Sequence, residues 1–178
     1  MKPTAQLLRA GTGSRLVLTR TFRAPIDDVW ASLTESERTA RWFGPWEGEP
    51  GPGRTIKVQM VHEDQAPWMD VRIDACEAPR RLLVSSLDEH GVWRMELLLS
   101  ESGGTTRLEF VHHLETEDNL GDVGPGWEYY LDMLVAARDG SPPPAFDAYY
   151  PAMKAYFEEL TQARPDGPAA PPAPEPPA

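Results

Sequence analysis

The stretch PGWEYYLDMLVAARDG, residues 125–140, decides the fold. Trp127, Tyr130, Leu131, Leu134 and Val135 recur at helical spacing and make one apolar stripe. Pro125 and Gly126 lead into it, and Gly140 supplies a C-terminal stop. A long helix with one apolar stripe needs a surface to bury it, and the chain in front supplies one. From Gly53 onward the hydrophobic period is two: residues 54–61, 68–76, 82–88, 92–101 and 105–116 each read as strands. Turn-rich pieces such as DEHG and ESGG separate them, which makes an antiparallel meander.

Further upstream, Ser14–Phe22 alternates, with Leu16, Leu18 and Phe22 on one side, and reads as the first strand. Ala24-Pro25 then opens a helix whose buried face is Ile26, Val29, Trp30 and Leu33. Thr34 followed by Glu37 has the spacing of a capping box and predicts a second short helix carrying Ala40, Trp42 and Phe43 to Gly44. The order is therefore strand, two short helices, meander, long helix. This is an α+β pattern: a curved antiparallel sheet of six or seven strands wrapped around the long C-terminal helix, with two short helices after strand 1. Because one helix is too narrow to fill the concavity, a cavity can persist between the two.

The flanks read differently. Residues 1–13 are taken as a flexible N-terminus and 14–140 as the domain. Residues 141–163 form an extension, in which Tyr150, Met153, Phe157 and Leu160 suggest a short helix packed on the outside. Residues 164–178, rich in proline and alanine, read as a disordered tail.

Composition narrows the function. Seventeen Lys and Arg stand against 28 Asp and Glu, a net charge of −11, so phosphate backbones and anionic membrane surfaces are repelled, and nucleic-acid and membrane partners are not expected. The single cysteine, Cys76, excludes an intramolecular disulfide framework. No stretch approaches the roughly 20 apolar residues of a membrane-spanning helix or the apolar region of a secretory signal. A soluble, cytoplasmic protein in a reducing compartment is expected.

The residues quoted above also resemble a known family. TFRAPIDDVWASLT, then RWFGP, then a glycine-bearing turn into the meander, then GWEYYLDML look like the START-like (SRPBCC) superfamily, in particular the group related to the activator of heat-shock-protein-90 ATPase. The resemblance covers about residues 14–139. It is carried by Phe22, Ala24, Pro25, Val29 and Trp30, by Trp42, Phe43 and Gly44, and by Gly126, Trp127 and Leu131. It implies a helix-grip fold with a hydrophobic cavity between sheet and C-terminal helix, and it transfers no catalytic residue.

Chemistry-bearing residues are sparse. His112 and His113 are adjacent on a strand and point to opposite faces, so they cannot share a metal ion. His62 and His90 lie in turns beside acidic residues and read as surface positions. Glu117, Asp118 and Asp122 fit neither a phosphate cradle nor a calcium loop and read as a solvated charged loop. Cys76 reads as a small buried hydrophobe. His112 shares parity with Leu108, Phe110 and Leu114, and reads as a hydrogen-bonded structural histidine ahead of a cavity group. The faces containing Val58 and Met60, Met69 and Val71, and Trp93 and Met95 could line a cavity or fill a core.

The candidate ligand-binding set is Trp42, Phe43 and Trp46 at the turn from helix to sheet, and Val58, Met60, Met69, Val71, Trp93, Met95, Phe110 and His112 on strands. Trp127, Tyr130, Leu131 and Leu134 on the last helix complete it. The expected function is non-enzymatic binding of an apolar or amphipathic small molecule, with no metal and no cofactor. A co-chaperone-like module binding a protein partner is the first alternative. A cyclase or hydrolase using His112 in the same cavity is the second.

Overall fold

A computed structural model describes residues 2–11, 13–88 and 91–163. β1 (Gln6–Ala10) pairs with β2 (Gly13–Phe22), and α1 (Ile26–Thr34) with the single turn α2 (Ser36–Thr39) follows. The meander is β3 (Trp46–Glu47), β4 (Thr55–Gln59), β5 (Trp68–Glu77), β6 (Arg81–Asp88), β7 (Gly91–Ser102) and β8 (Thr105–Leu114). α3 (Leu120–Asp139), a 3-10 turn at Phe146–Ala148 and α4 (Lys154–Gln162) complete the chain. All eight strands form one antiparallel sheet in the order β1-β2-β8-β7-β6-β5-β4-β3. The helices α1 and α2 carry the chain from one end of the sheet to the other, and the meander returns until β8 pairs with β2. Among the described residues no helix is long and apolar enough to cross a membrane.

The eight-stranded sheet exceeds the six or seven strands expected because it gains an edge at each end. The N-terminal edge, β1, stands where the sequence reads as flexible. Polar anchors explain it. Glu128 of α3, 2% exposed, accepts hydrogen bonds from the backbone N–H groups of Thr4 and Ala5 and from Arg20 Nη2 at 2.7 Å. Arg20 also reaches Asp132 at 2.8 Å, and the Tyr149 hydroxyl donates to the same carboxylate at 2.7 Å. Arg9 pairs with Glu117 at 2.6 Å and caps the C-terminal carbonyls of α4 at Leu160, Thr161 and Ala163. Glu117 is thus a partnered residue rather than part of a solvated loop, as is Asp122, which holds Lys154 at 2.6 Å.

Two helix boundaries differ from expectation. Thr34 is the last residue of α1, its hydroxyl donating to the Trp30 carbonyl at 2.9 Å, and no side-chain cap opens α2. Ser36 instead ties α2 to β3: its hydroxyl accepts from Trp46 N–H at 2.8 Å and donates to Trp46 O at 2.7 Å. Trp42 and Phe43 therefore sit in the turn after α2. A Cβ on Gly44 would lie 1.7 Å from the Gln59 carbonyl oxygen, so only glycine lets this turn rest on β4.

The long helix begins at Leu120, with Pro125 inside it, seven residues before the stripe that predicts it. Helix α4 explains the early start. Phe157, fully buried, lies against Gly124, where an added Cβ would be 2.1 Å from the ring. Tyr149, Met153 and Phe157 join the main core with Leu16, Leu18, Leu108, Leu131 and Leu134, so this segment packs into the domain rather than on its outside. Tertiary burial here overrides the poor helix propensity of GDVGPG. The tail beyond residue 163 and His90 lie outside the described residues.

Two glycines of α3 should respond oppositely to alanine. Gly124→Ala meets the Phe157 ring and should destabilise by about 1–3 kcal/mol, with loss of hydrogen-exchange protection in α4. Gly126→Ala meets nothing within 4 Å and should stabilise by about 0.5–1 kcal/mol through helix propensity. Chemical denaturation of both variants checks the pair.

Candidate functional site

Sheet residues separate into two apolar groups. The larger joins α1, β2, β8, α3 and α4; the smaller is Ile56, Val58, Val71 and Ile73 on β4 and β5. Phe43, Met60 and Val84 pack against both. Between the groups lies a cavity of about 370 Å³. Its floor is the concave face of β4–β8: Ile56 and Val58, Met69, Val71 and Ile73, Leu82 and Val84, Met95 and Leu97, and Phe110. Trp127, Tyr130 and Leu131 of α3 form the opposite wall. Leu33, Thr34 and Thr39 with Trp42, Phe43, Gly44 and Trp46 close one side.

The three clustered aromatics at residues 42–46 all border this space. Trp42 is 8% exposed, and its indole N–H donates to the Ser32 carbonyl at 2.9 Å. Trp46 N–H of the indole donates to the Thr34 carbonyl at 3.0 Å. Both rings are thereby oriented by carbonyls near the C-terminal end of α1, which helix geometry leaves without partners. Phe43 lies 5.5 Å from Trp42 and 5.0 Å from Tyr130, centroid to centroid, bridging the turn to α3. The Tyr130 hydroxyl donates to Glu63 at 2.6 Å, drawing the β4–β5 loop onto the helix. Burial and the neighbouring Glu63 carboxylate raise the Tyr130 phenol well above its ordinary pKa, so it stays a donor.

Eleven of the candidate residues are brought together: Trp42, Phe43, Trp46, Val58, Met69, Val71, Met95, Phe110, Trp127, Tyr130 and Leu131. Four are not. Met60 is half-buried in packing between the two apolar groups. Leu134, fully buried, belongs to the core beneath α3. Trp93 and His112 form a stack beyond the cavity, 5.4 Å apart with planes 11° from parallel. His112 accepts from the Trp127 indole at Nδ1, 3.2 Å away, so it meets the cavity only through that ring. The Trp93 indole nitrogen is buried with no hydrogen-bond partner among the described residues.

Sequence reasoning missed Leu82, Val84, Pro50, Gly51 and Cys76. Cys76 is exposed and borders the cavity, contrary to the expectation of a buried strand residue. A register shift between Ile73 and Ala75 is the reason: after this bulge the alternation of β5 changes parity, and Cys76 follows Met69, Val71 and Ile73 onto the same side. Nothing in the local residue pattern marks such a bulge. On the opposite face His113 pairs with Glu96 at 2.8 Å, and Glu96 with Arg81 at 2.6 Å. Among the described residues no group of His, Cys, Asp and Glu could hold a metal ion.

Burial, with a smaller contribution from neighbouring His113, lowers the His112 pKa to about 4 from its ordinary 6.5. The depressed folded value means that the unfolded chain binds the extra proton first as pH falls. This contribution to stability is therefore complete above about pH 6.5 and lost as pH falls towards 4. The expected loss between pH 7.5 and pH 5 is about 2 kcal/mol from this group. Urea melts at the two pH values, with the His112 ring proton titrating near pH 4 by NMR, check it.

Comparison with known proteins places this geometry. CalU16 from Micromonospora echinospora, in its crystal structure, is 29% identical, with a TM-score of 0.72 over 89% of this chain and 95% of that one. A conserved protein of unknown function from Enterococcus faecalis is 18% identical, with a TM-score of 0.68 over 89% and 91% of the two chains. DynU16, a protein in the dynemicin biosynthetic locus, is 20% identical, with a TM-score of 0.63 over 74% of this chain and 50% of that one. The last two likenesses show the shared helix-grip fold alone. No curated protein matches the chain. The chain belongs to the family of activator of Hsp90 ATPase homolog 1-like proteins, whose model matches residues 23–138, more than half of its length.

Proposed function

We propose that this protein binds an apolar or amphipathic small molecule between the sheet and α3 and does not transform it. One observation carries the reading: the lining of the 370 Å³ space contains no Asp, Glu, His, Lys or Arg side chain. Its size lies in the range of small-molecule sites, and affinity would come from apolar contact, with Thr34, Thr39 and the Tyr130 hydroxyl available for orientation. His112, the acid or base that an enzymatic reading requires, is turned into a hydrogen bond with Trp127. A cyclase or hydrolase reading thus loses the histidine it was built on, because that ring nitrogen is engaged by Trp127 rather than presented to the cavity.

A second reading, a protein partner, rests on a different surface. Leu87 and Val92 face each other across β6 and β7 and are 74% and 43% exposed, with Trp68 at the start of β5 47% exposed. Apolar residues grouped on an outer sheet face suit a partner chain. The family's description as an activator of Hsp90 ATPase points the same way.

A neutral apolar fluorophore should bind with near one-to-one stoichiometry and quench tryptophan emission. Trp46→Ala and Trp127→Ala should each weaken it by roughly 1–3 kcal/mol, the contribution of a ring's contact. Val84→Phe should exclude the probe by filling the space, whereas Leu87→Ser on the outer face should leave binding unchanged. Absence of probe binding, with Trp42 and Trp46 open to an aqueous quencher, overturns the reading. Native mass spectrometry of freshly purified protein identifies the ligand class if one is retained.

A further inference from the structure

A smaller pocket lies on the other side of Trp42, whose side chain borders both spaces. It holds about 170 Å³ and is bordered by Asp28 and Ser32 of α1, by Arg38 and Arg41, and by Arg138 with Leu134 and Ala137 of α3. Three guanidinium groups and one carboxylate border it, with the Glu35 carboxylate just outside on Arg38, so positive charge is in excess there in a chain whose net charge is −11.

The fold holds two of these cations in place. Asp28 accepts from Arg38 Nη1 at 2.8 Å and from Arg138 Nη2 at 2.6 Å. Arg138 also donates to the Ser32 hydroxyl and to the Asp28 carbonyl, and its guanidinium lies 5.1 Å from the centre of the Phe22 ring. Glu35 takes Nε of Arg38 at 3.0 Å. The Asp28 carboxyl is held below its ordinary range by hydrogen bonds from Arg38 and Arg138, so it remains the anion that orients them. Asp28 is then fully engaged, and the third cation is left over. The Arg41 side chain has no hydrogen-bond or ion-pair partner among the described residues.

We infer that this pocket binds a small phosphate-type oxyanion, either inorganic phosphate or the phosphate group of a small phosphomonoester. A guanidinium fork presents paired N–H donors whose spacing matches phosphate oxygens, and such charge-assisted bonds are the strong ones. Arg41 offers its whole fork, while Arg38 and Arg138 add charge and the N–H groups that Asp28, Ser32 and Glu35 leave over. Arg38 and Arg138 are already ordered by Asp28, so little side-chain freedom is lost when an anion arrives. Arg41, exposed and uncommitted, closes on the anion from the solvent side. The pocket's size admits one such group and not a polyanion, and the chain's negative charge repels extended phosphate backbones at long range. At physiological salt the distant carboxylates are screened over about 8 Å, so the local cations decide the affinity of a small anion.

Isothermal titration calorimetry of the full chain tests this, with inorganic phosphate and glycerol 3-phosphate as separate ligands and sodium chloride holding ionic strength constant. Saturable one-site binding is expected for wild type, weakened about tenfold or more in Arg41→Gln. The variant's melting temperature without ligand should match wild type, because the exposed side chain it alters makes no hydrogen bond or ion pair among the described residues. Tighter binding of glycerol 3-phosphate identifies an organic phosphate as the natural ligand; tighter binding of inorganic phosphate identifies the free ion. Absence of saturable binding for both anions, or equal affinity in wild type and Arg41→Gln, overturns the inference.

Discussion

An α-helix with its side chains is about 10–12 Å across, whereas eight strands spaced about 4.8 Å apart span roughly 34 Å. Helix α3 can therefore cover only part of the concave face, and which part it covers determines everything else about the molecule. It packs against β2 and α4, with Leu131 and Leu134 in the larger core. The β4–β6 side is left without a helix and keeps its own small apolar group. The cavity is the space between the covered and uncovered parts, closed at one side by the end of α1, by α2 and the turn after it, and by the loop at Pro50 and Gly51.

What holds α3 to one side is largely polar. Glu128 and Asp132 of the helix meet Arg20 of β2, and the same carboxylates take Thr4, Ala5 and Tyr149. Buried ion pairs add little net stability against well-packed apolar residues, but removing one partner leaves a buried charge exposed to a low dielectric. Their directional bonds set where the helix sits. The N-terminal segment and the segment after α3 converge on this network, which is why both are parts of the domain. The cavity on the uncovered side is bordered mainly by apolar side chains, with Thr34, Thr39, Cys76 and Tyr130 among them.

The aromatic turn illustrates how local residues serve this arrangement. Trp42 and Trp46 use the last carbonyls of α1 as acceptors, so their rings are placed by a helix end rather than by the sheet they border. Trp42 consequently divides two spaces of opposite character, one apolar and one lined by arginines. Gly44 permits the approach to β4 that puts Phe43 over Tyr130.

The residue pattern by itself determined the α+β class, the five long meander strands, the first strand and the closing helix, because alternation and the helical stripe are imposed by burial on one face. Eleven of its candidate residues border the cavity, since parity along a regular strand says which side chains share a face. Tertiary structure decided the rest. β1 depends on a partner more than a hundred residues away, Glu128 for Thr4 and Ala5, and the early start of α3 depends on Phe157 of α4 against Gly124. Cys76 reached the cavity through a bulge that shifts parity without a local mark. His112 has the parity of a lining residue, yet Trp127 stands between it and the space. Parity fixes a side chain's face but not its position along that face, and only the packing of α3 across the sheet settles which residues of the face remain uncovered.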